Sequence, residues 1–237
     1  MAAAAAALLA ALALGPALAQ NTNKQPPHLI FVMGDDAGWN DFGFTRGLLA
    51  PESELTGPQA KTPTLDALAK AGVVLKRTYA YRYCSPSRGS LLSGRLPFHA
   101  HEANPGISSP GCLNLNYTLL PAKLREAGYL SHQVGKWHEG MESLACVPVH
   151  RGFNSSYGYL SGAEDHVDQS AATGICRNTP RKCSDAAGGC IDLWRNERAA
   201  HGENGTYNDY AFVREFERIV AQHPKDRPLF VYQAFQK

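Results

Sequence analysis

Three short segments carry the side chains with the greatest chemical capacity. Asp35-Asp36 sets two carboxylates side by side, Cys84-Ser85-Pro86-Ser87-Arg88 sets a thiol four residues ahead of a guanidinium, and Lys136-Trp137-His138 sets an ammonium two residues ahead of an imidazole. Adjacent carboxylates are hard oxygen donors, better suited to Ca2+ than to a soft metal. Consecutive side chains of an extended strand diverge, so both reach one ion only where the backbone turns, and Gly34 and Gly38 permit such a turn. A residue at a helix N-terminus faces free N–H groups and the positive end of the helix dipole, a setting for anions. Arg88, one turn beyond Cys84, shares its helical face. Lys136 and His138 lie on one side of an extended segment, which turns Trp137 away into packing. Each type alone has an ordinary reading: solvated aspartates in a turn, a disulfide-bonded cysteine in a secreted chain, a surface histidine.

The elements around these segments argue for more. His28 to Met33 is a continuous apolar run, as in a strand buried on both faces, and it delivers Asp35-Asp36. Thr62-Pro63 opens a helical pattern that ends at Gly72, and Val73 to Tyr79 follows as a strand. Ser85 to Gly94 reads as a helix with Cys84 at its start; Tyr117 to Gly128 reads as another, with Pro121 in its first turn. Tyr129 to Gly135 is then a strand that delivers Lys136 and His138. Tyr207 to Ala221 is amphipathic, with Phe212, Val213, Phe216, Ile219 and Val220 at helical spacing, and Pro228 to Phe235 is a final apolar strand. Residues 140 to 206, rich in Gly, Ser, Asn and Cys, read as a long loop excursion stapled by disulfides. Alternating strands and helices predict an α/β fold, a mostly parallel central sheet flanked by helices on both faces. In such sheets chemistry gathers at the carboxyl ends of the strands, where all three segments fall.

The remaining signals concern compartment. Met1 to Ala19 is an uncharged Ala/Leu run closing on Ala17-Leu18-Ala19, which reads as a secretory signal peptide, residues 1–19. No later stretch is apolar enough for stable membrane insertion. Asn116, Asn154 and Asn204 each begin a glycosylation sequon. The secretory route, ending in a lysosome or outside the cell, also allows disulfides. Six cysteines would make three bridges, but a Cys84 reserved for chemistry leaves five. A balance of 23 basic against 21 acidic side chains gives no strong field for phosphate backbones or anionic lipid, which argues against nucleic acid as a partner. With 237 residues, 44% hydrophobic and 19% charged, the chain can bury a core, which excludes disordered and collagen-like classes.

The run Cys84 to Arg95, CSPSRGSLLSGR, resembles the sulfatase signature C-x-P-S-R followed by L-[ST]-G-R. Asp35-Asp36 followed by Gly38-Trp39, and Gly135-Lys136-Trp137-His138, are similar to two further landmarks of that family, in the expected order. Arg151-Gly152-Phe153 and Tyr157-Gly158-Tyr159 bring the resemblance nearest to arylsulfatases of the N-acetylgalactosamine-4-sulfatase (arylsulfatase B) type. It extends from His28 to the end of the chain.

The resemblance implies an alkaline-phosphatase-like fold, bound Ca2+, and conversion of Cys84 to formylglycine by a formylglycine-generating enzyme. It makes Asp35, Asp36 and position 84 metal ligands, and Cys84, Arg88, Lys136 and His138 the catalytic set. Hydrated formylglycine would attack sulfur and release sulfate by reforming the aldehyde; Arg88 would stabilise nucleophile and metal, Lys136 would bind a sulfate oxygen, and His138 would hydrogen-bond a formylglycine hydroxyl. The substrate would be an aryl sulfate or a sulfated glycosaminoglycan sugar. The resemblance also pairs Cys112 with Cys146 and Cys176 with Cys190, leaving Cys183 odd, with Cys176–Cys183 as the alternative. His99, His101, His132, His150 and His166 are left structural, with a substrate contact at Asp165-His166 open.

Two local departures stand out: Glu139 follows His138 where an apolar residue is usual, and Ala37 replaces a commoner Leu. Family members also continue through further metal ligands, a second His and a smaller C-terminal domain. The chain is therefore expected to be the N-terminal part of the catalytic domain, truncated at the C-terminus, with the rest of that domain and the C-terminal domain absent, and inactive alone. Two alternatives stand beside it: a phosphoester or phosphonate hydrolase of the same superfamily, and a short non-catalytic isoform that binds sulfated glycans or a partner.

Overall fold

The computed structural model of the chain describes residues 25–46, 60–105, 111–171 and 191–236. The expected signal peptide and Cys176, Cys183 and Cys190 lie outside the described residues. Six strands, β1 (Leu29–Met33), β2 (Leu130–Gly135), β3 (Ser155–Tyr159), β4 (Leu193–Arg195), β5 (Arg198–Ala199) and β6 (Leu229–Ala234), form one sheet in the order β1-β6-β2-β3-β4-β5. β1, β6, β2 and β3 run parallel, while β4 and β5 add antiparallel pairings, so the sheet is mostly parallel as expected. The helices are α1 (Gly43–Arg46), α2 (Pro63–Ala71), α3 (Cys84–Ser93), α4 (Pro97–Ala100), α5 (Leu120–Glu126) and α6 (Asn208–Gln222).

The alternation along β6 explains the two-sided covering. Phe230, Tyr232 and Ala234 join one core with Leu92 of α3, Trp137 and Phe153. Leu229 and Val231 point the other way, into a core with Ala211, Phe212 and Ile219 of α6. Successive side chains of a strand face opposite sides, so one apolar run serves both layers. Helices thus flank both faces, with α3 and α5 on one and α6 on the other.

Four expectations are corrected. β1 is an edge strand: among the described residues it pairs only with β6, and Leu29 to Val32 are exposed. Apolarity alone does not say whether a strand is central. β6 takes the enclosed place instead, buried at every position between β1 and β2. Val73 to Tyr79 forms no strand; among the described residues it has no pairing partner, and Val73 and Tyr79 are both 86% exposed. Residues 140–206, read as a loop excursion, supply β3, β4 and β5. The polar, Gly-containing run SSYGY is a strand because parallel pairing with β2 satisfies its backbone, a tertiary effect that outweighs propensity. On α6, Val213 and Val220 are exposed rather than packed. No helix among the described residues is long and apolar enough to cross a membrane.

Candidate active site

The carboxyl end of β1, the residues leading into α3 and the first turns of α3 meet at one crevice of about 330 Å³, lined by Gly34, Asp35, Asp36, Tyr83, Cys84 and Arg88 among others. Asp35 arrives two residues after β1. Asp36 next to it has φ 50°, a left-handed conformation that Asp tolerates better than most side chains. The turn is therefore made by Asp36 itself; neither Gly34 nor Gly38 adopts positive φ. Its result is that the Asp35 and Asp36 carboxylates and the Cys84 thiol lie within 4.8 Å of one another.

Cys84 is the first residue of α3, behind Tyr83 at the N-cap, and Gly94 closes the helix in the left-handed conformation. Cys84 is a free, half-buried thiol. The helix end offers fewer donors than its position suggests. The Ser85 N–H donates to Asn104 Oδ1 at 3.0 Å, and Pro86 has no N–H. The positive charge at the site comes instead from side chains.

Lys136 leaves β2 through Gly135, whose φ of 93° only glycine adopts readily, and whose added Cβ would fall 1.8 Å from the Ala234 carbonyl oxygen. The Lys136 N–H donates to Ala234 O at 2.8 Å, which ties it to the end of β6. Its side chain is buried; Nζ donates to Asp35 Oδ2 at 2.5 Å and to Cys84 Sγ at 3.2 Å. Arg88, also buried, donates to Asp35 Oδ1 at 3.2 Å, to the Lys136 carbonyl at 3.3 Å and to the Tyr232 hydroxyl at 3.2 Å. Burial works against a charged Asp35, yet the Lys136 hydrogen bond and charge, joined by Arg88, hold its carboxyl below the usual range.

His138 departs from the extended geometry that would align it with Lys136, because its φ is 57°. Its ring packs on Gly162, where a Cβ would come within 2.6 Å, and among the described residues Nδ1 is buried without a hydrogen-bond partner. No hydrogen bond joins the ring to Cys84 among those residues. Its link to α3 runs through its backbone carbonyl, which accepts from Ser85 Oγ. Burial, then the charges of Lys136 and Arg88, push its imidazole down to about 3, so it is neutral at ordinary pH. Trp137 is buried against Phe153, edge to face, and donates to the Cys146 carbonyl at 3.1 Å.

Three neighbours escaped the sequence reading. Tyr232 sits in an apolar strand and carries no chemical motif, Asn104 is an isolated amide, and His101 drew no partner in sequence although it lies 3.1 Å from Glu139. The charge of Glu139 beside His138 was the one available signal.

The donor set fits a hard cation in kind: two carboxylates meeting at one point beside position 84. Both oxygens of Asp35 are already engaged by Lys136 and Arg88, so an arriving ion shares that carboxylate with two protein cations. Away from the crevice, Cys112 and Cys146 are joined in a disulfide. Asn116, Asn154 and Asn204 are all exposed, while Asn154 Oδ1 accepts from the Ser131 N–H at 2.8 Å.

Comparison with known proteins gives a consistent picture. A protein-family model described as Sulfatase matches residues 27–237. Arylsulfatase J of Mus musculus is 37% identical over 214 residues, covering 89% of this chain and 32% of that protein. Arylsulfatase A of Homo sapiens is 33% identical over 244 residues, covering 96% of this chain and 43% of that protein. The crystal structure of Ps i-CgsB superposes with a TM-score of 0.72 at 26% identity, covering 89% of this chain and 45% of that one; the TM-score is 0.71 for its complex with k-i-k-neocarrahexaose. The chain thus spans about a third of the length of arylsulfatase J and under half that of the other two proteins.

Proposed function

The chain belongs to the sulfatase family, and from that premise we propose that it carries the nucleophile end of a sulfuric ester hydrolase. The observation that carries this reading is the convergence of Cys84, Asp35, Asp36, Arg88 and Lys136, from three distant segments, on one crevice.

Cys84 is the position we assign to formylglycine, whose hydrated aldehyde supplies geminal hydroxyls, one to attack sulfur and one to drive release of the product. Asp35, Asp36 and position 84 would hold Ca2+, which supplies Lewis-acid polarisation of a sulfate oxygen. The protein's own groups do the rest. Lys136 Nζ, 3.2 Å from the Cys84 side chain, is within reach of a sulfate oxygen and presents fixed positive charge to it. Arg88 holds Asp35 in place from within the core and keeps it ionised. His138, neutral and packed on Gly162, is the residue we assign to hydrogen-bond a formylglycine hydroxyl.

A sulfated sugar or aryl sulfate is the proposed substrate, in keeping with the k-i-k-neocarrahexaose bound in the Ps i-CgsB complex. A formylglycine-generating enzyme is the proposed maturation partner. The exposed Asn116, Asn154 and Asn204 suit glycan attachment, and with the apolar N-terminal run they support a secretory, lysosomal or extracellular location.

The test is co-expression of the chain with a formylglycine-generating enzyme, followed by peptide mass analysis at position 84, Ca2+ calorimetry, and assays with matched aryl sulfate and aryl phosphate. The expected results are an aldehyde at 84, Ca2+ binding that Asp36→Asn weakens, and any turnover favouring the sulfate. A Cys84 disulfide, or Ca2+ binding indifferent to Asp36, would overturn the reading.

A further inference from the structure

Glu139 follows His138 and is fully enclosed, yet it belongs to none of the interactions described for the crevice. His101, in the turn after α4, places Nε2 at 3.1 Å from Glu139 Oε2. A carboxylate oxygen and an unprotonated imidazole nitrogen both present lone pairs, and two lone pairs do not sit at that distance in a buried place. A proton carried by either atom makes the contact attractive, as an ion pair rather than an aligned hydrogen bond.

The other charged groups around Glu139 are committed elsewhere. Arg88 is held by Asp35, Tyr232 and a carbonyl. Arg151 donates to the carbonyls of Leu113, Asn114 and Tyr117. Tyr232, from β6, is occupied by Arg88 and Met33. His101 is the remaining partner, at ion-pair distance but out of hydrogen-bond alignment: among the described residues neither Glu139 oxygen nor His101 Nε2 has an aligned hydrogen-bond partner.

The pair also lies against the helix that carries Cys84. A Cβ on Gly89 would stand 3.0 Å from Glu139 Oε2 and 3.1 Å from His101 Nε2, so the pair rests on the bare backbone of α3 one residue beyond Arg88. Two more ties join the same segments: Ser85 Oγ donates to the His138 carbonyl, and the Ser85 N–H donates to Asn104 three residues past His101. We propose that His101 and Glu139 are positioning residues: a buried ion pair that fixes the Lys136–His138 segment against the first turns of α3. The inference rests on the geometry of the crevice, not on which ester is hydrolysed there.

The experiment follows the imidazole NMR signals of the full chain between about pH 5 and 8, with His101→Gln and His138→Gln used to assign them. His101 is expected to keep its proton to higher pH than an ordinary imidazole, because contact with the Glu139 carboxylate outweighs its burial. The His138 signals, though that ring stays neutral, should shift in the same step. In Glu139→Gln the proton affinity of His101 should fall about tenfold or more, and the step should vanish from His138. Glu139→Leu, which restores an apolar side chain, gives the same expectation should the Gln variant fold poorly. His138 signals indifferent to the His101 titration in the unmodified chain, or a step that persists in either Glu139 variant, would overturn the proposal. Neither readout uses turnover, so failure of the sulfatase reading would leave this result standing.

Discussion

Lys136 and Asp35, 101 residues apart in sequence, meet at 2.5 Å between Nζ and Oδ2. The ammonium therefore occupies one of the oxygens that a metal ion would use. Removing it as Lys136→Met should strengthen Ca2+ binding, by roughly tenfold given the size of charge repulsion near a protein surface, while sulfate binding is lost. Calorimetry with Ca2+ and with inorganic sulfate checks both; weaker Ca2+ binding in the variant would mean that Lys136 organises the metal site rather than competes within it.

Arg88→Lys keeps the charge but gives up the fork that reaches Asp35, the Lys136 carbonyl and Tyr232 together. With the side chain buried, the unmet acceptors should cost about 2 kcal/mol or more. Urea unfolding measures it, and a loss under about 0.5 kcal/mol, the range of ordinary surface changes, would contradict the assigned network.

At Gly135, alanine brings both an unfavourable φ and a direct collision with Ala234 O. The strand end must move, so Gly135→Ala should destabilise by about 3 kcal/mol or more and displace Lys136. Thermal unfolding and the Ca2+ titration together should register both effects.

Stability should depend on pH in two opposed ways. The His138 imidazole is lowered from 6.5 to about 3, so its contribution is complete above about 6.5 and is lost as the pH falls toward 3. The Glu139 carboxyl is raised from 4.5 to about 7 by burial, so its contribution is complete below about 4.5 and is lost as the pH rises through 7. His138→Asn should flatten the acid-side loss and Glu139→Gln the loss toward neutral pH, each by about 1.4 kcal/mol for every tenfold difference in proton affinity between the folded and unfolded chain. Melting curves across that range are the check, and slopes parallel to those of the unmodified chain would refute the assignment.

The Cys112–Cys146 disulfide closes a loop of 34 residues of separation beside the segment that carries Glu139, whose carbonyl accepts from the Leu113 N–H at 3.0 Å. Replacing both cysteines with alanine should cost about 2–4 kcal/mol. Denaturant midpoints with and without reductant would show it; midpoints unchanged by reduction would rule it out.

What could be read in advance follows a physical division. The Asp35-Asp36, Cys84–Arg88 and Lys136–His138 segments were legible because chemistry demands particular side chains at fixed spacing, and β1 because its apolar run favours extended structure, although that run lies exposed at the sheet edge. β3 was not, since SSYGY is a strand only through its pairing with β2. The edge position of β1 was equally hidden, because strand order is set by packing and not by local composition. Tyr232 and His101 depend on contacts that no spacing rule anticipates. The orientation of His138 turned on one backbone angle.

The place of β6 between β1 and β2 sets an order of events in the life of the chain. Leu29 pairs with Phe230, so the first of the described strands waits for one made about two hundred residues later. At about 5–20 residues per second of synthesis, that delay is on the order of ten to forty seconds. Until then β2 can rest on β3 but β1 has no neighbouring strand among the described residues, so Asp35 is not yet held beside Lys136 and the crevice around position 84 stays open.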